Sequence, residues 1–284
     1  MNSHQLCYNG TFYPETAALF TADNRAFRYG DSLFETIHCN GTQIQLFGEH
    51  MERLQLGMSH LRMEIPDNFS HTIETNIKSL ITKNKSFLGT RIRLSVFRNS
   101  GGLYTPQTNR ISFLIESSKL DSPNYYLNKK GLKIGLFDSY KKASNSLSGF
   151  KTGNSLPFIL AGLHKTEMKW DDCLLLNERQ NLVESVSSNL FIVKDGILYT
   201  PSLESGAMNG IMREQIIQIA LKLGITVYDD CIMKPEQLID ADEIFLTNAI
   251  VGIRWVVAYE ERRYFNRSAK VLIEELNKKA FPKN

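Results

Sequence analysis

The sequence predicts a mixed α/β (α+β) fold in two domains, and three observations carry that reading. Strand-like and helix-like segments follow one another without strict βαβ regularity. A polar stretch, Ser117 to Gly131 (SSKLDSPNYYLNKKG), separates two apolar, β-branched runs. The chain has 284 residues, more than the roughly 100–200 of a usual compact domain. The expected organisation is an N-terminal α/β domain over 1–117, a linker over 118–130 and a C-terminal domain over 131–284.

In the first domain, Gln43–Phe47 reads as a short strand. A helix follows from Glu49 to Arg62, because Met51, Leu54, Met58 and Leu61 fall at helical spacing on one face. A second helix is expected over His71–Lys83. Thr90–Arg98 (TRIRLSVFR) alternates like a strand, with Ile92, Leu94 and Val96 on one face and Arg91, Arg93 and Ser95 on the other. Paired arginines on the polar face of a strand fit a solvated surface or an anion site, and periodicity does not choose between them. Ile111–Ile115 closes the domain as a strand.

The second domain opens with Leu132–Phe137, and Cys173–Leu176, Leu190–Val193 and Ile197–Tyr199 are further strands. Asp195-Gly196 joins the last two as a hairpin, since both residues tolerate positive φ. A helix runs from Ile211 to about Leu223, with Ile216, Ile217, Ala220 and Leu223 on its buried face and Gly224 as its C-terminal cap. A last helix covers Ser268–Lys279.

The chain carries 33 basic and 30 acidic residues, a net charge of +3, too little to imply nucleic-acid or membrane binding. The lysine pairs 129–130 and 141–142 read as solvated loop charges. No apolar run approaches the roughly 20 residues of a membrane helix, and the N-terminus lacks a signal-peptide pattern. A soluble, cytoplasmic protein is expected. Cys7, Cys39, Cys173 and Cys231 form no CxxC or zinc pattern, which fits reduced thiols rather than disulfides. The GxGxxG, P-loop, HExxH and GxSxG signatures are absent, and the six histidines are scattered. Metal and serine-hydrolase chemistry are disfavoured.

Three features remain. Lys151 stands in GFKTGNSLP before an apolar helix-like run. A buried lysine there is a nucleophilic amine for Schiff-base chemistry, whereas a lysine in a glycine loop is ordinarily exposed. Glu184 lies among apolar residues in LVESVSSNLFIV, so it is either a turn residue or a buried carboxylate that needs a cation. Asn209-Gly210-Ile211-Met212 opens a helix, where free N–H groups and the dipole favour a phosphate, though every helix has such a start.

Taken together and in order, these features resemble the fold-type-IV (class IV) pyridoxal-phosphate enzymes. That family includes branched-chain aminotransferases, D-amino-acid aminotransferases and aminodeoxychorismate lyases. The resemblance rests on RYGDSLFETI (28–37), EHMERL (49–54), RIRLSVFRNSGG (91–102), FKTGNSL (150–156), LVESVSSNLFIVKDGILYTP (182–201), NGIMRE (209–214) and FLTNAIVGI (245–253). It implies a two-domain fold whose C-terminal domain binds pyridoxal 5'-phosphate. Lys151 would carry the internal aldimine and shuttle the Cα proton. Glu184 would pair with the pyridine nitrogen, and Arg53 would bind the cofactor phosphate. The backbone N–H groups of Ile211 and Met212, with the loop at Asn248 and Ala249, would cradle that phosphate. Ser187 and Asn189 would lie near the ring, and Tyr29, Phe34 and Arg93 in the substrate pocket. The loop at Leu103 and Tyr104 would close the partner subunit's site, which implies a homodimer.

Departures bear on the reaction. Branched-chain aminotransferases usually place tyrosine at Leu156 and threonines at Met212 and Ala249. D-amino-acid aminotransferases place a substrate-binding arginine and histidine where Leu103 and Thr105 stand. Asn154, Leu156, RNSGGLY (98–104) and NGIMR (209–213) are similar to the lyases, which often carry an arginine at Leu103. Arg91, Arg93 and Arg98 are candidate replacements for that cation. Glu35 in LFETI is similar to the aminotransferases. The resemblance implies an aminotransferase acting on small-molecule amino acids, branched-chain ones among the candidates, and 2-oxo acids. The alternative is 4-amino-4-deoxychorismate lyase, yielding 4-aminobenzoate and pyruvate for folate synthesis; a non-catalytic cofactor-binding protein is a distant third.

Overall fold

A computed structural model describes residues 4–282. The chain divides into two units, the first running to Asn124 and taking in Phe150–Asn154, the second comprising Tyr125–Gly149 and everything from Ser155. No composition signal in the sequence announces the return of 150–154 to the first unit.

The first unit contains β1 (Gln5–Tyr8), β2 (Thr11–Pro14), α1 (Arg25–Tyr29), β3 (Ser32–Asn40), β4 (Gln43–Ile44), α2 (Phe47–His60), α3 (Phe69–Lys83), β5 (Gly89–Arg98) and β6 (Ile111–Lys119). The strands form one sheet in the order β2-β1-β6-β5-β3-β4. The expected strand at Gln43–Phe47 shortens to two residues, because Phe47 already begins α2. Ile92, Leu94 and Val96 are buried on one face of β5 with Ile37 and Ile115. Against them pack Met51, Leu54 and Met58 of α2 and Ile73, Ile77, Leu80 and Ile81 of α3, each buried side chain contributing about 1.5–3 kcal/mol. With both helices committed to one face, Arg91, Arg93 and Ser95 are left half-buried on the other.

The second unit contains β7 (Leu132–Phe137), α4 (Leu156–Glu167), β8 (Asp172–Leu176), β9 (Leu182–Ser185), β10 (Asn189–Lys194), β11 (Ile197–Pro201), α5 (Ile211–Lys222), β12 (Val227–Cys231), α6 (Glu236–Asp240), β13 (Glu243–Asn248), β14 (Gly252–Tyr259), β15 (Arg262–Arg263) and α7 (Arg267–Ala280). α4 is the crossover between the parallel neighbours β7 and β8. The pairing order is β12-β11-β10-β13-β14-β7-β8-β9, and β9 also pairs with β10. Six strands therefore close on themselves, and Glu184 lies at the closure, opposite Asn189 on β10. The β10–β11 hairpin turns through Asp195 and Gly196 at φ +51° and +76°, as both residues allow. Gly224 follows α5 at φ +76°. Leu223, expected on the buried face of that helix, is instead exposed; it stands one residue past the last helical residue, as the C-cap of α5. No helix among the described residues is long and apolar enough to cross a membrane.

Candidate functional site

The first unit gathers Lys151, Phe34 and Arg93. Residues 150–154 run antiparallel beside the start of β3: Phe34 N donates to Lys151 O (2.8 Å) and Gly153 N to Ser32 O (2.9 Å). Gly153 permits that approach, since a Cβ there would stand 2.3 Å from Ser32 Oγ. Held by this edge, Lys151 places its Nζ 5.4 Å from the Phe34 ring centroid. Arg93 faces Phe34 across the β3–β5 pairing, its guanidinium carbon 4.0 Å from the same centroid. An amine and a guanidinium thus share one aromatic ring. Burial lowers the Arg93 pKa, opposed by Glu116 and assisted by Arg91, and half-burial strengthens a cation's hold on an anion.

Tyr29 and Tyr104 lie together, ring centroids 5.7 Å apart. Arg25 connects them. Its guanidinium sits 4.9 Å from the Tyr29 centroid, and its Nη1 donates to the carbonyls of Gly101, Gly102 and Leu103. Asp31 holds both Arg25 and Arg98 through one oxygen, at 2.8 and 2.9 Å. Arg98 also donates to Leu61 O, Arg62 O and Asn109 Oδ1. It is buried and committed to holding the chain on either side of the 99–110 loop, not offered to a substrate as its place in the sequence suggests.

Arg53 lies on α2 as expected, but its visible partner is Glu35 on β3. Arg53 Nε donates to Oε1 (2.8 Å) and Nη2 to Oε2 (2.6 Å), while His50 Nδ1 donates to Oε2 (2.8 Å). Burial raises the Glu35 pKa, but the charge of Arg53 and the bonds from His50 outweigh it and hold the carboxyl at about 2. Sequence reasoning missed this triad. The signal was His50 and Arg53, spaced by three on α2 and both turned inward beside its apolar face.

In the second unit Glu184 is buried on β9. Its Oε2 accepts from Met208 N (3.0 Å) and its Oε1 from Lys142 Nζ. Lys142, expected as a solvated loop charge, is 8% exposed. Its neighbour Lys141 is the solvent-facing one, reaching Gln180 Oε1. Adjacent identical residues cannot be told apart before the fold turns one of them inward. Ser187 is exposed in the turn between β9 and β10, whereas Ser188 is buried and accepts from Asn248 Nδ2 (2.9 Å). Asn248 Oδ1 in turn accepts from the N–H groups of Ile250 and Val251, and Ala249 O accepts from the Tyr125 hydroxyl (3.2 Å). Asn189 Nδ2 donates to Met208 O (2.8 Å), and its Oδ1 would stand 1.8 Å from a Cβ at Gly210. Gly210 precedes α5 with no side-chain cap, so the first N–H groups at Ile211 and Met212 present the helix dipole without a side-chain acceptor there. No metal-binding group of three ligands occurs among the described residues.

The amine, the buried carboxylate acceptor and the uncapped helix start with its N–H donors are the group types that an aldehyde, a protonated ring nitrogen and a phosphate require. The profile of the amino-transferase class IV family matches residues 32–259, and the chain belongs to that family. Its relatives include proteins named for two activities. It is 26% identical over 232 residues to aminodeoxychorismate lyase of Vibrio harveyi, covering 81% of this chain and 83% of that protein. It is 28% identical over 258 residues to the branched-chain-amino-acid aminotransferase of Escherichia coli K12, covering 87% and 82%. The T.th. branched-chain amino acid aminotransferase, solved with pyridoxamine 5'-phosphate, superimposes with a TM-score of 0.89 at 26% identity over 100% of this chain and 96% of that one.

Proposed function

We propose that this chain is a pyridoxal 5'-phosphate-dependent aminotransferase that moves an amino group between an amino acid, with branched-chain amino acids as candidates, and a 2-oxo acid. The observation that carries the reading is the pairing of Lys151 and Arg93 over Phe34: an amine to engage a carbonyl beside a guanidinium to grip a carboxylate. The residues present fit the cofactor by donor chemistry. When bound, it supplies an aldehyde that condenses with amines and a ring that accepts the electron pair released at the substrate Cα.

Lys151 would hold the cofactor through its amine and would then hold the proton taken from the substrate Cα. Glu184 would face the ring nitrogen and favour its protonated form. The N–H groups of Ile211 and Met212 hold the phosphate with the Asn248–Ala249 turn and Arg53, whose guanidinium Glu35 orients. Ser187 and Asn189 support the ring. Arg93 binds the substrate carboxylate through its planar donor fork, and Tyr29, Phe34 and Tyr104 supply apolar walls.

The same reading makes the protein a homodimer. Leu156, Ile159, Leu160 and Leu163 lie exposed at helical spacing along α4, an apolar stripe that a second copy covers. We place it in the cytoplasm, where thiols stay reduced; burial pushes the Cys39 thiol up to about 12, which keeps it protonated at neutral pH. Lyase activity is the second reading, favoured by the Vibrio harveyi relative. Commitment of Arg98 to Asp31 removes one of the cations expected to bind the lyase substrate.

Absorption spectra of the reconstituted protein test both readings. Conversion of the bound cofactor to its pyridoxamine form by one amino acid supports the aminotransferase. Release of 4-aminobenzoate from aminodeoxychorismate, with no response to amino acids, replaces it by the lyase. Absence of a cofactor band, or a band unaltered in Lys151→Ala, overturns the assignment of Lys151.

A further inference from the structure

Glu184 and Lys142 form a buried ion pair in the second unit, their side chains 5% and 10% exposed. Lys142 comes from the loop after β7. Its backbone is tied to the end of β8 through Lys142 N to Leu176 O (2.8 Å), and its Nζ lies 3.4 Å from Ser148 O and 5.6 Å from the Phe158 ring centroid. The ammonium is therefore gripped by a carboxylate, a carbonyl and an aromatic face. Around Glu184, β8 presents Leu175, β10 presents Asn189 and the loop before α5 presents Met208 N–H. Asp172 on β8 bonds Ser185, the next residue of β9. Among the described residues, Lys142 is the cation paired with Glu184.

A carboxylate has about four acceptor positions, so Glu184 has capacity for another donor beyond Lys142 and Met208. We propose, resting on the cofactor assignment above, that Lys142 is a positioning residue of the ring-nitrogen site. It holds the Glu184 carboxylate oriented before the cofactor arrives, and shares it with the ring nitrogen afterwards. Two cations on one carboxylate disfavour each other. Lys142 therefore lowers the proton affinity of the ring nitrogen below what Glu184 alone sets, and weakens the electron sink. The pair tunes how firmly the released electrons are held, in addition to anchoring the ring.

The test uses holoenzyme reconstituted with cofactor labelled by nitrogen-15 in the ring, titrated by NMR across about pH 5 to 10. In Lys142→Met the ring nitrogen keeps its proton to a pH roughly one unit higher than in wild type, and Lys142→Arg restores the wild-type midpoint. Lys142→Gln, which retains a donor for Glu184 without the charge, shifts in the same direction and serves where the methionine variant does not fold. Equal midpoints in wild type and the neutral variants, with cofactor bound to all, overturn this inference alone. A wild-type protein that binds no cofactor overturns the functional assignment and the inference with it.

Discussion

Each unit buries one glutamate against a cation, and the two pairs are built differently. Glu35 accepts three hydrogen bonds from two side chains, two of them from the planar fork of Arg53. Glu184 accepts one bond from the flexible ammonium of Lys142 and one from a backbone N–H. Arginine's fixed fork gives two well-aimed bonds to a carboxylate, whereas an ammonium is a point charge on a flexible stem. Glu35 thereby has most of its acceptor positions filled, three of about four, and serves to orient Arg53. Glu184 keeps acceptor capacity and suits a ligand. Burial and charge pairing alone do not separate a structural carboxylate from a functional one; the number of donors each already satisfies does.

That contrast breaks most visibly under neutralisation of each carboxylate. Glu35→Gln leaves Arg53 buried without its counter-ion, and urea unfolding should show a loss of about 3–5 kcal/mol. Glu184→Gln should reduce kcat by about 100-fold through lost protonation of the ring, with a smaller loss of stability than Glu35→Gln. A Glu184 variant that loses mainly stability would reverse the roles assigned here.

Acid titration sharpens the same contrast. The Glu35 carboxyl titrates at about 2 in the folded protein, against an ordinary value near 4.5. The folded protein thus binds fewer protons than the unfolded chain between those values. The stabilisation is complete above about pH 4.5 and is lost as pH falls toward about 2. Melting temperatures measured down this range should fall more steeply for wild type than for Glu35→Gln, which has no carboxyl to protonate.

Smaller effects follow at the start of α5 and in the 99–110 loop. Gly210→Ala drives a methyl into Asn189, costing about 1–3 kcal/mol; fluorescence titration should show weaker cofactor binding. Arg25→Met removes the donor shared by three loop carbonyls and should lower global stability by about 1 kcal/mol. Limited proteolysis within 99–110 should become several-fold faster, reporting local opening of that loop.

Periodic segments are legible in the sequence because they need only local information. The 3.6-residue spacing of Met51, Leu54 and Met58 and the alternation of Ile92, Leu94 and Val96 each define a buried face without knowledge of its partner. The Asp195-Gly196 hairpin is legible from backbone chemistry. Chemistry-bearing residue types also stand out, as Lys151, Glu184 and the start of α5 do without any geometry. Their surroundings do not. Lys142 and Lys141 are indistinguishable as sequence, and Arg98 carries the same side chain whether it meets a substrate or Asp31.

By itself, the sequence determined the strongly periodic elements, such as α2, β5 and α5, the β10–β11 hairpin, and which family's motifs it carries in order. Those properties depend on side-chain type and short-range spacing, which the chain states directly. Only the tertiary structure decided that 150–154 returns to β3, that Glu35 rather than solvent holds Arg53, and that Lys142 turns inward to Glu184. Each of these joins residues far apart in the chain. Their energies depend on desolvation and on the geometry of a few donors and acceptors, and both are set only once the sheets have closed around them.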